Sequence, residues 1–258
     1  MAVTKITADF IDADAVETTQ IKDANVTTGK IADNAITLAK MAGGTDGEII
    51  TYDSSGDPAY VGVGTANQAL TSNGVGAAPT MQNAGLHLIE TQTASSSAQL
   101  DFQTGIDSTF DQYEFRISDL VPATDDVELR MRVFVSSTIV DGASTYSCKL
   151  QRNTSAGVDT VTADHIVLCD DAVTQSLGSD TGESYSGVVR MFNPASAALY
   201  TKFTVAAIYD PGAGIGNLAH VLGGGRYDGS VSAVDGIRFY MESGNIESGK
   251  ISLYGVKI

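Results

Sequence analysis

The side chains that most often carry catalysis or bind metals are few in this chain and lie far apart. His87, His165 and His220 fall in three separate strand-like runs, and none has an Asp, Glu or His neighbour at metal-ligand spacing. Cys148 and Cys169 form no CxxC pair and lie in apolar runs, which favours two buried thiols, although a mutual disulfide stays open. Neither a nucleophile elbow nor a Walker motif occurs. These residues predict no metal centre and no cofactor.

Paired carboxylates are the other arrangement that could do chemistry, because glycosidases use two carboxyl groups about 5–10 Å apart. Candidates in predicted loops are Asp125 with Asp126, Asp170 with Asp171, and Asp180 with Glu183. Solvated acidic loops explain them more simply on a chain with 31 acidic and 15 basic side chains, and loop oxygens could also bind Ca²⁺. We therefore predict that the protein is not an enzyme.

The charge balance narrows the choice of partners. A formal net charge of −16 argues against nucleic acid and against an anionic membrane surface, since both need clustered Lys and Arg. The opening MAVTKITADF has no apolar run of signal-peptide length, and no later run approaches the ~18 apolar residues of a membrane span. We expect assembly in a cytoplasm and no membrane insertion.

Large aliphatic residues recur every five positions in the first part of the chain. They are Ile6, Ile11, Val16, Ile21, Val26, Ile31, Ile36 and Met41. Neither the 3.6-residue period of a helix nor the two-residue period of a strand produces this spacing. Three ten-residue units underlie it: IDADAVETTQ (11–20), IKDANVTTGK (21–30) and IADNAITLAK (31–40).

A repeat of this kind cannot bury its apolar residues alone and must stack on something else. Three parallel chains could bury three such rows on a common axis, which predicts a fibrous N-terminal repeat stem over residues 1–42. The residues predicted to be buried between chains, called here the stem residues, are Ile11, Val16, Ile21, Val26, Ile31 and Ile36. The alternative is a disordered polar tail.

Residues 43–83 are rich in Gly, Ala, Ser, Thr and Asn and contain a weak duplication. GEIITYDSSGDP (47–58) aligns with NQALTSNGVGAAP (67–79), and each copy has a short apolar run, a Gly-containing turn and then Pro. We predict two small β units that connect the stem to a head, with a flexible linker as the alternative.

Residues 84–258 alternate apolar and polar side chains, as where Tyr113, Phe115 and Ile117 alternate with Glu114 and Arg116. The predicted strands are Leu86–Thr93, Ala98–Phe102, Gln112–Asp119, Val127–Ser136, Thr145–Arg152, His165–Cys169, Tyr185–Phe192, Leu199–Tyr209, Leu218–Tyr227, Gly236–Glu242 and Gly249–Lys257. Many short strands separated by turns favour an antiparallel, jelly-roll-like β-sandwich, so the predicted fold class is all-β.

Several of these segments resemble known virion fibres. The units of the form GKIADNAIT, with TDGEIITYDSSGDPAYV and GTANQALTSNGVGAAPT, look like stems of bacteriophage tail fibres. The closing SGNIESGKISLYGVK is similar to the last strand of many small fibre heads. The resemblance covers roughly residues 20–82 and 236–258. It implies an intertwined homotrimer in a virion, held at its N-terminus by other virion protein, whose head contacts a host-surface glycan or protein.

Sugar binding would call for aromatic rings and polar groups near loops. The candidates for receptor contact are Tyr185, Tyr209, Arg226, Tyr227 and Asp228, and the GGGRYDG run (223–229) is a candidate exposed tip. The alternative is that the tyrosines line the core or a trimer seam.

Three functions fit these observations. The first is a structural and adhesive virion fibre, the second a passive capsid or collar decoration without a receptor role, and the third a trimeric glycan depolymerase. The sequence does not separate the first two, and the modest length without a long β-helix repeat argues against the third.

Overall fold

The computed structural model describes residues 21, 26–32, 35, 43–44, 46–55, 58–66, 68–83, 85–152, 158–169, 176–212 and 218–256. Within these ranges the chain is all-β, with one 3-10 turn at Thr28–Lys30 and no α-helix. No helix in this part is long and apolar enough to cross a membrane. The chain divides into two compact units, Met1–Val63 and Gly64–Ile258.

The first unit contains a β-hairpin, formed by β1 (Ile49–Tyr52) and β2 (Pro58–Val61). The hairpin loop begins with an Asx turn, in which the Ser55 amide donates to Asp53 Oδ1 at 2.8 Å. The hairpin corresponds to the first copy of the duplicated sequence, where an apolar run, a turn and Pro were predicted.

The second unit begins with the matching hairpin, β3 (Gln68–Thr71) and β4 (Thr80–Asn83). Asn73 holds the longer connection together, because its Nδ2 donates to the Ala78 carbonyl at 2.7 Å and its Oδ1 accepts from Gln82 Nε2 at 2.9 Å. Both copies of the duplication therefore form two-stranded antiparallel sheets.

Thirteen further strands follow in the second unit. They are β5 (Leu86–Thr93), β6 (Leu100–Phe102), β7 (Gln112–Pro122), β8 (Leu129–Val135), β9 (Thr138–Ile139), β10 (Tyr146–Arg152), β11 (Val158–Ala163), β12 (Ile166–Val167), β13 (Tyr185–Phe192), β14 (Lys202–Tyr209), β15 (Ala219–Tyr227), β16 (Gly236–Met241) and β17 (Ile246–Val256). An antiparallel eight-stranded sheet has the order β11-β10-β15-β14-β13-β7-β17-β5. A smaller sheet has the order β12-β8-β16-β6, with β9 paired to β8.

The two larger sheets contribute to one hydrophobic core. Phe115 on β7 of the eight-stranded sheet meets Phe102 and Phe239 of the smaller sheet edge-on, with ring centroids 5.5 and 5.2 Å apart. The period-2 pattern of the strands produces this arrangement, because successive side chains point to opposite faces. On β14, buried Phe203, Val205, Ala207 and Tyr209 alternate with more accessible residues.

The last strand, β17, is irregular where it pairs with β7. Register shifts interrupt the β17–β7 pairing on both sides of Ser248, and Gly249 follows with φ +104°. A Cβ at Gly249 would lie 2.5 Å from the Asp119 carbonyl oxygen, so glycine is required at this bulge. β17 then runs to Val256 between β7 and β5, in the interior of the sheet.

Candidate functional site

One face of the eight-stranded sheet contacts the core, and the other is called the outer face. A cavity of about 630 Å³ opens on the outer face, over four adjacent strands, β10, β15, β14 and β13. Its size falls in the usual range for small-ligand pockets, roughly 300–1,000 Å³. We call it the basic depression, and its defining residues are Lys149, Phe192, Lys202, Thr204, Gly224 and Arg226.

The floor of the basic depression is backbone. Gly224 on β15 pairs with Lys149 on β10 and with Thr204 on β14. Because adjacent strands are about 4.8 Å apart, the missing side chain leaves a gap of about 10 Å between these two neighbours. A Cβ at Gly224 would lie 2.6 Å from the Phe203 carbonyl oxygen, so the sheet would have to shift to accept any larger residue.

Three basic side chains surround this floor. Arg226 on β15 lies directly opposite Lys202 on β14. Lys149 lies on β10, on the opposite side of β15 from Lys202, and pairs with Gly224. Arg226 forms an ion pair with Asp228, whose carboxylate also accepts a hydrogen bond from Ser147. Within the described ranges, no carboxylate lies within ion-pair distance of Lys149 or Lys202, although both are exposed. The site therefore carries net positive charge on an acidic protein.

Aromatic rings border the same site. Phe192, half-buried at the end of β13, pairs with Lys202 in the ladder. The Arg226 guanidinium lies over the Tyr200 ring, 4.9 Å from the ring centroid, and Tyr200 is 41% exposed. Leu199, beside it in the loop before β14, is 64% exposed. The border thus offers apolar and aromatic surface next to cationic groups.

The five residues predicted for receptor contact separate into two groups. Tyr185 and Tyr209 pair across β13 and β14, their rings stack at 6.2 Å, and both are buried. Burial raises the pKa of Tyr185 well above its ordinary value. Tyr227 is buried opposite Tyr146. The three rings are thus closed to a ligand in this chain. Their burial agrees with the alternative interpretation, in which the tyrosines line the core.

Arg226 and Asp228 are the two predicted contact residues that the structure brings to the basic depression. Sequence reasoning missed Lys149, Phe192 and Lys202, because these residues come from three other strands. The glycine run at 223–225 is the available signal. The sequence predicts an exposed tip there, whereas the run lies within β15.

The candidate carboxylate pairs act as caps for loop backbone where the structure describes them. Asp125 Oδ1 accepts from the Ser179 amide at 3.1 Å, and Asp126 Oδ1 accepts from the Ser176 amide at 2.9 Å. Glu183 Oε2 accepts from the amide of Asp180 at 2.8 Å. The pair at 170–171 lies outside the described residues. Within the described part of the chain, no group of three or more His, Cys, Asp or Glu residues could hold a metal ion.

The histidines and cysteines lie in structural surroundings. His165 Nδ1 is 2.6 Å from Asp164 Oδ1, and its Nε2 is 3.8 Å from Glu128 Oε2. Burial tends to raise the pKa of Glu128, but the neighbouring His165 and the hydrogen bond from Arg130 outweigh burial and hold this pKa below its ordinary value.

His87 stacks on Phe110, with centroids 5.4 Å apart. Cys148 and Cys169 are both buried, as their apolar runs predict.

The structure describes three of the six stem residues. Ile21, Val26 and Ile31 are 45%, 55% and 39% exposed in the single chain. The remaining three, at positions 11, 16 and 36, lie outside the described residues. The three stem residues that the structure describes are therefore only partly buried in one copy of the chain.

Comparison with models of protein families finds no matching family, and comparison with curated proteins finds no significant match.

Proposed function

We propose that the protein is a structural and adhesive fibre of a bacteriophage virion, in which three copies form a repeat stem and present a β-rich head to the host surface. The proposal extends the resemblance of residues 20–82 and 236–258 to virion fibres. Other virion protein would hold the N-terminus, and the fibre would act by attachment.

The observation that carries the proposal is the exposure of the five-residue aliphatic repeat. Burying one Ile or Val side chain stabilises a protein by about 1.5–3 kcal/mol, and Ile21, Val26 and Ile31 forgo much of this in a single chain. Parallel copies would bring equivalent rows together. A homotrimer gives the repeat the apolar partner that its period requires.

The two hairpins support the same conclusion. Ile50 lies opposite Tyr60 in the first hairpin, and Leu70 lies opposite Met81 in the second. Ile50, Tyr60 and Leu70 are 49%, 52% and 47% exposed. A two-stranded sheet with an exposed apolar pair is marginal by itself, so these hairpins also favour further packing in an assembly.

The head fits a jelly-roll-like β-sandwich. Strands β5 to β8 alternate between the two larger sheets, and so do β16 and β17. Such crossing between sheets is typical of two-layered antiparallel folds, and it supports a compact head at the end of the fibre.

Binding of the fluorescently labelled full-length protein to a panel of bacterial strains, with supernatants assayed for new reducing ends, tests the adhesive role. Saturable binding to some strains without reducing-end release is expected. Absence of binding to every strain would favour a passive decoration, and release of reducing ends would favour a depolymerase. Either result would contradict the proposal.

A further inference from the structure

We propose that the basic depression is the receptor site and that it binds a sugar unit carrying a negative charge, such as the carboxylate or phosphate group of an acidic surface polysaccharide. This inference rests on the proposed adhesive function and specifies its ligand. All residues of the proposed site belong to the head.

The first argument is the distribution of charge. In the second unit, the arginines at positions 116, 130, 132, 190, 226 and 238 each form an ion pair with a carboxylate. Among the described lysines of this unit, Lys149, Lys202 and Lys250 have no such partner, and the first two border the same cavity. A ligand anion would supply the charge that these two ammonium groups lack.

The second argument is the cross-strand position of Lys202. Like charges directly opposite on neighbouring strands destabilise a sheet, yet Lys202 lies opposite Arg226. Asp228 and the Tyr200 ring engage Arg226, which leaves the Lys202 ammonium group available to a ligand. Unfavourable arrangements of this kind are typical of functional sites.

The third argument is the shape and chemistry of the surface. Gly224 keeps the floor open, while Thr204 and Ser147 offer hydroxyl groups in the cavity. Phe192 and, through its contact with Arg226, Tyr200 place aromatic rings at the border. A charged sugar has an anionic group for the lysines, hydroxyl groups for Thr and Ser, and an apolar ring face for an aromatic side chain.

The net charge of −16 does not prevent this binding at physiological ionic strength. The Debye length is then about 8 Å, so carboxylates farther away are largely screened, whereas the lysines would contact the ligand directly. The acidic remainder of the chain would instead disfavour polyanions that lack a sugar unit fitting the cavity.

Saturation-transfer NMR on the full-length protein tests the inference with matched probes: glucuronic acid, glucose 6-phosphate, glucose and inorganic phosphate. Lys149→Glu and Lys202→Glu alter the site. Lys250→Glu is the control, because Lys250 is an exposed lysine on the outer face of the same sheet, on β17, far from the cavity. Circular dichroism verifies that each variant is folded.

We expect one or both charged sugars to bind more tightly than glucose, Lys149→Glu and Lys202→Glu to weaken this binding by about tenfold or more, and Lys250→Glu to change it less than about twofold. The relative affinities of glucuronic acid and glucose 6-phosphate show whether the site prefers a carboxylate or a phosphate group. Equal binding of glucose, binding unchanged in both site variants, displacement of the sugar by inorganic phosphate at equal concentration, or no binding would overturn the inference.

The molar mass and strain binding of the same samples separate the two proposals. A trimer that adheres to cells but binds no charged sugar would overturn this inference and leave the fibre role intact. A monomer that binds no strain would instead overturn the fibre role, whatever its affinity for the sugars.

Discussion

Lys202 on β14 lies directly opposite Arg226 on β15, so two cationic side chains occupy one cross-strand position on the outer face. The arrangement costs stability, because like charges at this separation repel. It also collects positive charge beside a glycine floor on a chain of net charge −16. The same two residues therefore connect the stability of the sheet with its proposed ligand.

The Lys202→Glu variant should be more stable than the wild type in the absence of ligand, by about 0.2–1 kcal/mol, because the repulsion becomes an attraction to Arg226. Urea denaturation at one fixed protein concentration measures the change. Lys149→Glu is the control, since Lys149 faces Gly224 and Thr160, and its stability should stay within about 0.5 kcal/mol of the wild type. A destabilised Lys202→Glu variant would contradict the assigned register.

Glu114 should contribute more to stability than a typical surface carboxylate. It is 5% exposed, and its two oxygens accept hydrogen bonds from Arg116 Nε at 2.8 Å and Arg190 Nε at 2.9 Å. Glu114→Gln should cost about 1–2 kcal/mol, a value reduced by the partial exposure of both arginines. Glu242→Gln is the matched control, because Glu242 pairs with Arg130 but its side chain is 46% exposed. Equal urea midpoints for the two variants would contradict this role.

Acid sensitivity should depend in part on Glu128. Its pKa in the folded chain is lowered, since the neighbouring His165 and the hydrogen bond from Arg130 outweigh the effect of burial, so folding favours the ionised form. This contribution is fully present above the ordinary Glu pKa of about 4.3 and is lost as the pH falls through the lowered folded value. The stability difference between wild type and Glu128→Gln should therefore shrink between about pH 6 and pH 3.

Urea midpoints at each pH provide the measurement. Glu247→Gln, which alters an exposed carboxylate on β17, should show a small and nearly constant difference over the same range. A Glu128→Gln difference that grew on acidification would contradict the direction of the pKa shift.

The stem residues should determine oligomeric state. Replacing Ile21 and Ile31 together with Asp places charges in the proposed apolar axis and should convert trimers to monomers. Thr27→Asp, at an exposed position outside the five-residue repeat, should leave the trimer intact. Sedimentation velocity distinguishes these species, and a trimeric double variant would show that the repeat is not the assembly surface.

Strands with clean alternation could be predicted from the sequence almost to the residue. Leu86–Thr93 and Tyr185–Phe192 have the predicted bounds, because each run is long and is flanked by turn residues. Thr138–Ile139 and Val158–Ala163 were missed. The first has two residues, too few to show a period, and the second has a polar, Thr-rich sequence that resembles a loop.

The direction of a side chain at a strand end was harder to predict. Tyr209 and Tyr227 are followed by turn residues, which suggested exposure, but both continue the buried phase of their strands. Their rings pack on Tyr185 and Tyr146, residues distant in sequence. Which face of a strand meets the core depends on such long-range pairings, and these pairings cannot be identified from one sequence.

The basic depression could not be predicted for the same reason. Lys149, Lys202 and Arg226 are separated by long stretches of chain and come together only because β15 lies between β10 and β14. A composition with more than twice as many acidic as basic residues also concealed a local positive site. Local patterns predicted the strands, while the site required their order in the sheet.

The molar mass of the full-length protein in solution, measured by light scattering after size-exclusion chromatography, tests the fibre proposal most directly. The proposal predicts a mass near three times 26.8 kDa, unchanged on dilution through the micromolar range. A mass of one chain across that range would contradict it, because Ile21, Val26 and Ile31 would then be exposed in the native protein without a partner copy to bury them.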